Sequence, residues 1–169
     1  EGFSLLPCYR WHRHVVVPRG HPLAKHKSPT LKQLAAHPIV TYVFGFSGPS
    51  SLLEIFAQEG LVPNVVLTAR DADVIKTYVR LGLGIGIVAS MAIDPKEDAD
   101  LVQIDTAHLF PAHTTWIGFR RGGLLRKYQL DFMQLFAPHL TRRLIERAAG
   151  AATQADVENL TADVELPTR

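Results

Sequence analysis

Residues 71 to 92, DADVIKTYVRLGLGIGIVASMA, commit their part of the chain to one order of elements. Ala72, Ile75 and Val79 fall at i, i+3 and i+7, the apolar face of a helix, and Asp71 or Asp73 stands where its cap belongs. Gly82 lies where a helix end wants a residue free to take positive φ. The apolar run IGIVAS then reads as a strand. Within it, Gly84 to Ala89 match the G-x-G-x-x-G/A pattern of dinucleotide-binding loops. In such a loop the glycines follow a strand and open a helix, so that the helix N-terminus meets the pyrophosphate. Here they end a helix and lead into a strand. They let backbones pass closely but offer no row of amides to a phosphate, so the cofactor reading is set aside.

The remaining elements alternate in the manner of a parallel α/β sheet. HVVVP (14–18) is a strand closed by Pro18. TLKQLAAH opens a short helix with Thr30 and Gln33 at capping-box spacing. IVTYVFG follows as a strand, and SGPSSLLEIFAQEG as a helix over 49–59, with Ser51 and Glu54 as a second capping box and Gly60 at its end. NVVLTA, LVQID and TTWIGFRR are further strands. LLRKYQLDFMQLFAPHL is a longer helix whose Leu125, Tyr128, Phe132, Leu135 and Phe136 repeat at helical spacing as a core-facing side. The stretch from 146 onward, rich in Ala, Thr and acids with little periodicity, reads as a frayed or disordered tail.

Length and composition narrow the classes. A chain of 169 residues suits one or two domains, and 47% hydrophobic with 20% charged residues is a globular balance with no run long enough to span a membrane. A single cysteine, Cys8, excludes an internal disulfide framework and suits a reducing compartment. The first residues, EGFSLLPCYRWHR, carry no signal-peptide pattern and read as a cut edge of a longer protein. A net charge of +2 comes from scattered basic residues, clustered only at 119–121, 125–127 and 141–143. Such clusters are commonly solvated helix faces, so nucleic-acid contact through these residues is not the favoured reading.

Three constellations invite chemistry. Eight histidines suggest metal, yet His12 and His14 have no Glu, Asp or Cys at ligand spacing, and His108 and His113 merely flank a loop. FGFSG (44–48) sits between a strand and a helix, where a hydrolase nucleophile elbow would lie, but position 49 is Pro rather than Gly. Partners for Ser47 would have to come from Asp94, Asp105 and His108. The third reading takes Gly45, Ser47 and Gly48 as a turn that leaves helix-start amides and a hydroxyl open to a small anion, at the C-terminal end of a strand where open α/β sheets bind ligands.

TYVFGFSG, TARDADVIKTYVRLGLGIGIVASMAID, IGFRR and FAPHLTR closely resemble LysR-type transcriptional regulators, in their cysteine-regulon subgroup. The resemblance covers about residues 5 to 145. DADVIKTYVRLGLG is specific to the subgroup, whereas VPRGHPL and GLGIGI are shared by the family at large. It implies a periplasmic-binding-protein-like α/β effector domain, with one complete subdomain and the returning half of a second. The boundaries expected are a crossing segment at 1–13, the complete subdomain at 14–101, the returning half at 102–145 and the tail at 146–169.

The same resemblance implies a sensor rather than an enzyme, and no cofactor beyond sulfate or a similar small anion, or an acetylserine-type inducer, as effector. In the subgroup the turn reads FGFTGRS and its hydroxyl contacts the anion. That role carries over to Ser47, while Pro49 replaces a basic residue. The expected ligand-binding set is Ser47, Gly45, Phe46, Gly48 and Thr41, with no catalytic or metal residues. Partners implied are the small-molecule effector, promoter DNA only through a winged helix-turn-helix domain absent from this chain, and further copies in a homo-oligomer. No membrane is implied, and the location is cytoplasmic. The rivals are a free-standing anion-binding module of similar fold and the hydrolase using Ser47.

Overall fold

The computed structural model describes residues 2–46 and 51–169. In chain order the first elements are β1 (Phe3–Trp11), β2 (Arg13–Pro18), α1 (Leu31–Ala35), β3 (Ile39–Tyr42), α2 (Leu52–Gln58) and β4 (Val65–Ala69). Then come α3 (Ala72–Arg80), β5 (Ile85–Ala89), β6 (Leu101–Ile104), β7 (His113–Arg120), α4 (Lys127–Phe136), α5 (Arg142–Ala149) and α6 (Gln154–Thr161). They form two compact units, one of residues up to Trp11 together with His113–Arg169, the other His12–Ala112. The expected border at 101/102 therefore moves to 112/113. The reason is β6, which pairs with β2 from Val15↔Ile104 to Pro18↔Leu101 and so belongs to the larger sheet.

That sheet has the order β4-β3-β5-β2-β6. β4, β3 and β5 run parallel, whereas β2 is antiparallel to both β5 and β6. The sheet is mixed, not parallel throughout. An apolar run reports burial on two faces, which a central strand has in either direction. Val15 and Val17 enter one core with Leu34, Phe56, Ile85 and Ile87. Val16, between them, enters the opposite core with Val40, Ile75 and Val79. Helices α1 and α2 cover the first face and α3 the second, giving three layers.

The expected caps are present. Thr30 and Gln33 form the capping box of α1, the Ser51 hydroxyl accepts the Glu54 amide at the start of α2, and Asp71, not Asp73, caps α3. The α2 helix begins at Leu52, later than expected, because Ser51 is its extended cap.

Gly82 has φ +78°, as the helix end requires. Its amide donates to the Val79 carbonyl, that of Leu83 to Tyr78, and that of Ile85 to Pro38. These amides are consumed within the turn and the sheet, so they cannot cradle a phosphate. Gly84 and Gly86 serve close approach instead. A Cβ on Gly84 would lie 2.3 Å from the Pro38 carbonyl oxygen, and one on Gly86 would lie 2.5 Å from Val16 Cγ2 and 2.9 Å from Val79 Cγ2. Gly84→Ala should destabilise the unit by well over the ~1 kcal/mol typical of point mutants, because backbone must move. Gly86→Ala meets only methyl groups and should cost less. Denaturant midpoints check the order, and an unchanged midpoint for Gly84→Ala would contradict the close approach.

An ion cluster ties α3 to the β5–β6 connection. The Lys76 ammonium, buried, meets Asp98 at 2.8 Å, Asp73 at 2.9 Å and the Ala92 carbonyl at 3.1 Å. Asp98, also buried, further accepts from Arg80 at 2.8 Å and from the Asp94 amide at 3.0 Å. Burial pushes the Asp98 carboxyl up, but Lys76, the Asp94 amide and Arg80 outweigh it and bring it down to about 2. An unfolded Asp titrates near ~3.9, so the cluster's contribution is complete above about pH 4 and is lost as pH falls toward 2. Asp98→Asn should destabilise at pH 7 by roughly 2 kcal/mol, less than a fully orphaned buried charge costs because Asp73 still holds Lys76. Urea midpoints of parent and variant should converge as pH falls from about 4 toward 2.

In the smaller unit β1 and β7 form an antiparallel pair with a bulge between Pro7 and Tyr9. Their core joins Leu6, Cys8, Tyr9 and Phe119 to Leu130, Met133, Leu140, Ile145, Ala148 and Val157. Two sequence expectations change here. On α4 the inward residues are Leu130 and Met133, while Tyr128, Phe132 and Leu135 of the expected side are exposed. The helix carries apolar residues on more than one side, so periodicity did not select the buried one. Residues from 146 onward are not frayed. Thr141 caps α5, Thr153 forms a capping box for α6, and Ile145, Ala148 and Val157 are buried. Each helix buries only two residues, Ile145 with Ala148 and Val157 with Thr161, which gives a faint periodic signal.

Candidate functional site

The parallel strands β3, β4 and β5 end together, with Tyr42 beside Ala69 in register. Both α2 and α3 start from this edge, since each follows one of these strands. Such an edge is where ligands enter open α/β sheets, because loops there can diverge around a crevice. The two helix starts differ. Asp71 closes α3, its carboxylate accepting the Asp73 amide at 2.7 Å and the Val74 amide at 3.4 Å. An anionic group therefore already holds that position. The cap of α2 is the neutral hydroxyl of Ser51, buried and 3.3 Å from the Glu54 amide.

Between β3 and Ser51 lies the turn singled out by sequence. Val43–Phe46 form a 3-10 turn in which Gly45 is buried, with nothing within 4 Å of where its Cβ would stand. Ser47 and Gly48 of the expected set, with Pro49 and Ser50, lie outside the described residues. Thr41 is buried in β3 and its hydroxyl donates to the Ile87 carbonyl at 2.9 Å. With its one proton committed there, Thr41 in this arrangement braces the strand pair and offers no donor to a ligand.

Tyr42 is the residue that sequence reasoning passed over. Its ring stacks on Phe44 with centroids 4.6 Å apart and planes 17° from parallel. Its phenolic oxygen accepts the Ala89 amide at 3.3 Å, so its own proton remains a donor that meets no acceptor among the described residues. Burial pushes the phenol up, which keeps it protonated at neutral pH. The available signal was a tyrosine ending an otherwise apolar strand immediately before the glycine turn.

The other constellations are not assembled. Asp105 sits 3.3 Å from His14 rather than beside His108. The His108 ring instead meets Ser28 at 3.2 Å and the Pro29 carbonyl at 2.9 Å, and Asp94 binds the Lys96 and Glu97 amides of its own turn. Among the described residues no group of three or more His, Cys, Asp or Glu could hold a metal, and no helix is long and apolar enough to cross a membrane. Of the basic clusters, Arg121 is tied to the Phe3 carbonyl at 2.7 Å and Arg142 to Glu146 at 3.0 Å.

Comparison with known proteins gives a consistent result. The family model described as LysR substrate binding domain matches residues 1–141. The HTH-type transcriptional regulator CysB of Haemophilus influenzae is 51% identical over 164 residues, covering 97% of this chain and 50% of that protein. The HTH-type transcriptional regulator SsuR of Burkholderia cenocepacia is 56% identical over 134 residues, covering 79% of this chain and 44% of that protein. The cofactor-binding domain of the Cbl transcriptional regulator superposes with a TM-score of 0.77 at 42% identity, covering 88% of this chain and 65% of that one. The chain thus spans about half the length of the curated relatives it matches.

Proposed function

The chain belongs to the LysR substrate-binding domain family, and from that premise we propose that it is the effector-sensing part of a regulator of sulfur assimilation and cysteine biosynthesis. Its ligand is a small anion such as sulfate or thiosulfate, or an acetylserine-type inducer, bound at the 44–48 turn. The observation that carries this reading is the contrast at the sheet edge, where α3 is closed by the Asp71 carboxylate and α2 by a neutral hydroxyl. A helix start capped by a neutral group leaves its remaining amides and the positive end of its dipole to an anion from solution. The carboxylate in the first turn of α2, Glu54, is not its cap. Ser47, Gly45, Phe46 and Gly48 supply the turn, and Tyr42 adds a phenolic donor at its base.

The mechanism is linkage. A ligand that prefers one conformation of the domain biases how a homo-oligomer presents its DNA-binding parts. Promoter DNA is contacted by a helix-turn-helix domain in the portion of the protein that this chain does not span, and the protein works in the cytoplasm and catalyses nothing. The names of the similar regulators, CysB, SsuR and Cbl, support this reading.

Titration calorimetry with sulfate, thiosulfate and acetylserine on the complete effector domain tests the site. A hydrogen bond to a charged group is worth roughly 1.5–3 kcal/mol, so Ser47→Ala should weaken binding about ten- to a hundredfold. Ser47→Glu should weaken it further by placing a carboxylate in the pocket. Tyr42→Phe keeps the stack on Phe44 and should cost about tenfold if the phenol donates to the ligand. Gly86→Ala should leave affinity per folded molecule unchanged. Full affinity in both Ser47 variants would remove the site from this turn.

A further inference from the structure

The outer edge of β1 is closed by a segment remote in sequence. Gln154, the first residue of α6, uses its side-chain amide as a strand would, accepting the Leu5 amide at 2.8 Å and donating to the Leu5 carbonyl at 3.1 Å. Farther along, the Arg10 amide donates to the Pro167 carbonyl at 3.0 Å, and the Arg169 amide donates to the Arg10 carbonyl at 2.9 Å, a parallel bridge between Arg10 and Thr168. Alternation along β1 puts the nitrogen of Pro7 on the same outer edge as that of Leu5, and proline has no hydrogen to offer there. The strap is also pinned through side chains. The Arg169 guanidinium lies 4.0 Å over the Tyr9 ring and donates to its hydroxyl at 3.0 Å, while Val157 of α6 is fully buried.

We propose that residues 154–169 are an edge guard, which keeps the β1 edge from pairing with the same edge of a second copy of this chain. A strand edge rich in apolar residues is a template for another chain unless it is covered or broken. Here Phe3–Trp11 is nine residues long with one charged residue, Arg10, and its cover is supplied by four hydrogen bonds at two points. An isologous contact between two such edges satisfies the same groups that the guard now satisfies. The guard lies beyond the residues that the family model matches.

The test uses the full chain with Gln154→Ala and Arg169→Pro combined, which removes the side-chain amide, one backbone donor and the guanidinium over Tyr9, and leaves Val157 in place. Hydrogen exchange at Leu5, whose amide loses its acceptor, should quicken about tenfold, the loss of roughly one net hydrogen bond, and exchange at Arg10 should quicken as the strap end that holds it through Pro167 loosens. Sedimentation should show dimers at about tenfold lower concentration than for the parent chain, and Leu5→Pro, which deletes the edge donor, should return that concentration toward the parent's. Adding a synthetic peptide of residues 162–169 should do the same by refilling the edge. Faster exchange without added dimer would overturn the proposal, as would unchanged exchange at both amides. Should the double variant lose its fold by circular dichroism, Gln154→Ala alone gives the Leu5 part of the reading, since it removes both side-chain bonds to Leu5 and leaves Arg169 in place. Dimer formation unaffected by Leu5→Pro would place the contact elsewhere and also overturn it.

Discussion

The larger unit rests on the closeness with which α3 lies on β5. The gap is so small that a single methyl at Gly86 would collide with Val16 and Val79. Because the helix sits that low, Ile75 and Val79 reach the second core, and β2, β3 and β5 can be buried on both faces. Double-sided burial in turn allows strands such as Val15–Val17 to be wholly apolar without presenting an exposed greasy face. The Lys76–Asp98 pair closes the far side of the same helix, holding it against the connection that leads to β6.

The glycines that look like a nucleotide loop are thus part of a packing device. The amides of Gly82, Leu83 and Ile85 are spent on Val79, Tyr78 and Pro38, and the missing side chains of Gly84 and Gly86 make room for a turn and a helix. What the close packing delivers to the other end of the sheet is a level edge, where parallel strands stop and two helices start. One of those starts is closed by the Asp71 carboxylate. The other is capped by the neutral Ser51 hydroxyl, with Glu54 in its first turn.

Much of this was readable in residue pattern. The Thr30–Gln33 box, the Asp71 cap and the left-handed Gly82 all followed from local backbone chemistry, which neighbours in sequence settle among themselves. The 44–48 turn was legible as a candidate site for the same reason, being a strand end, small residues and a helix start in succession. Strand direction was not legible, since β2 and β6 have the same apolar character as their parallel neighbours. Nor was the fold of residues 142–169, where each helix buries only two residues and the Gln154 side chain bonds to β1, more than a hundred residues earlier.

The chain by itself therefore determined the kind of elements, their order and their ends, because caps, turns and periodicity depend on residues within one or two turns of each other. Tertiary structure alone decided that β6 joins the larger sheet, that Thr41 spends its proton on Ile87 and that Tyr42 keeps one to give. It also decided that Gln154 completes an edge strand. Each of these depends on which distant backbone groups arrive within hydrogen-bond distance, and local pattern carries no record of that.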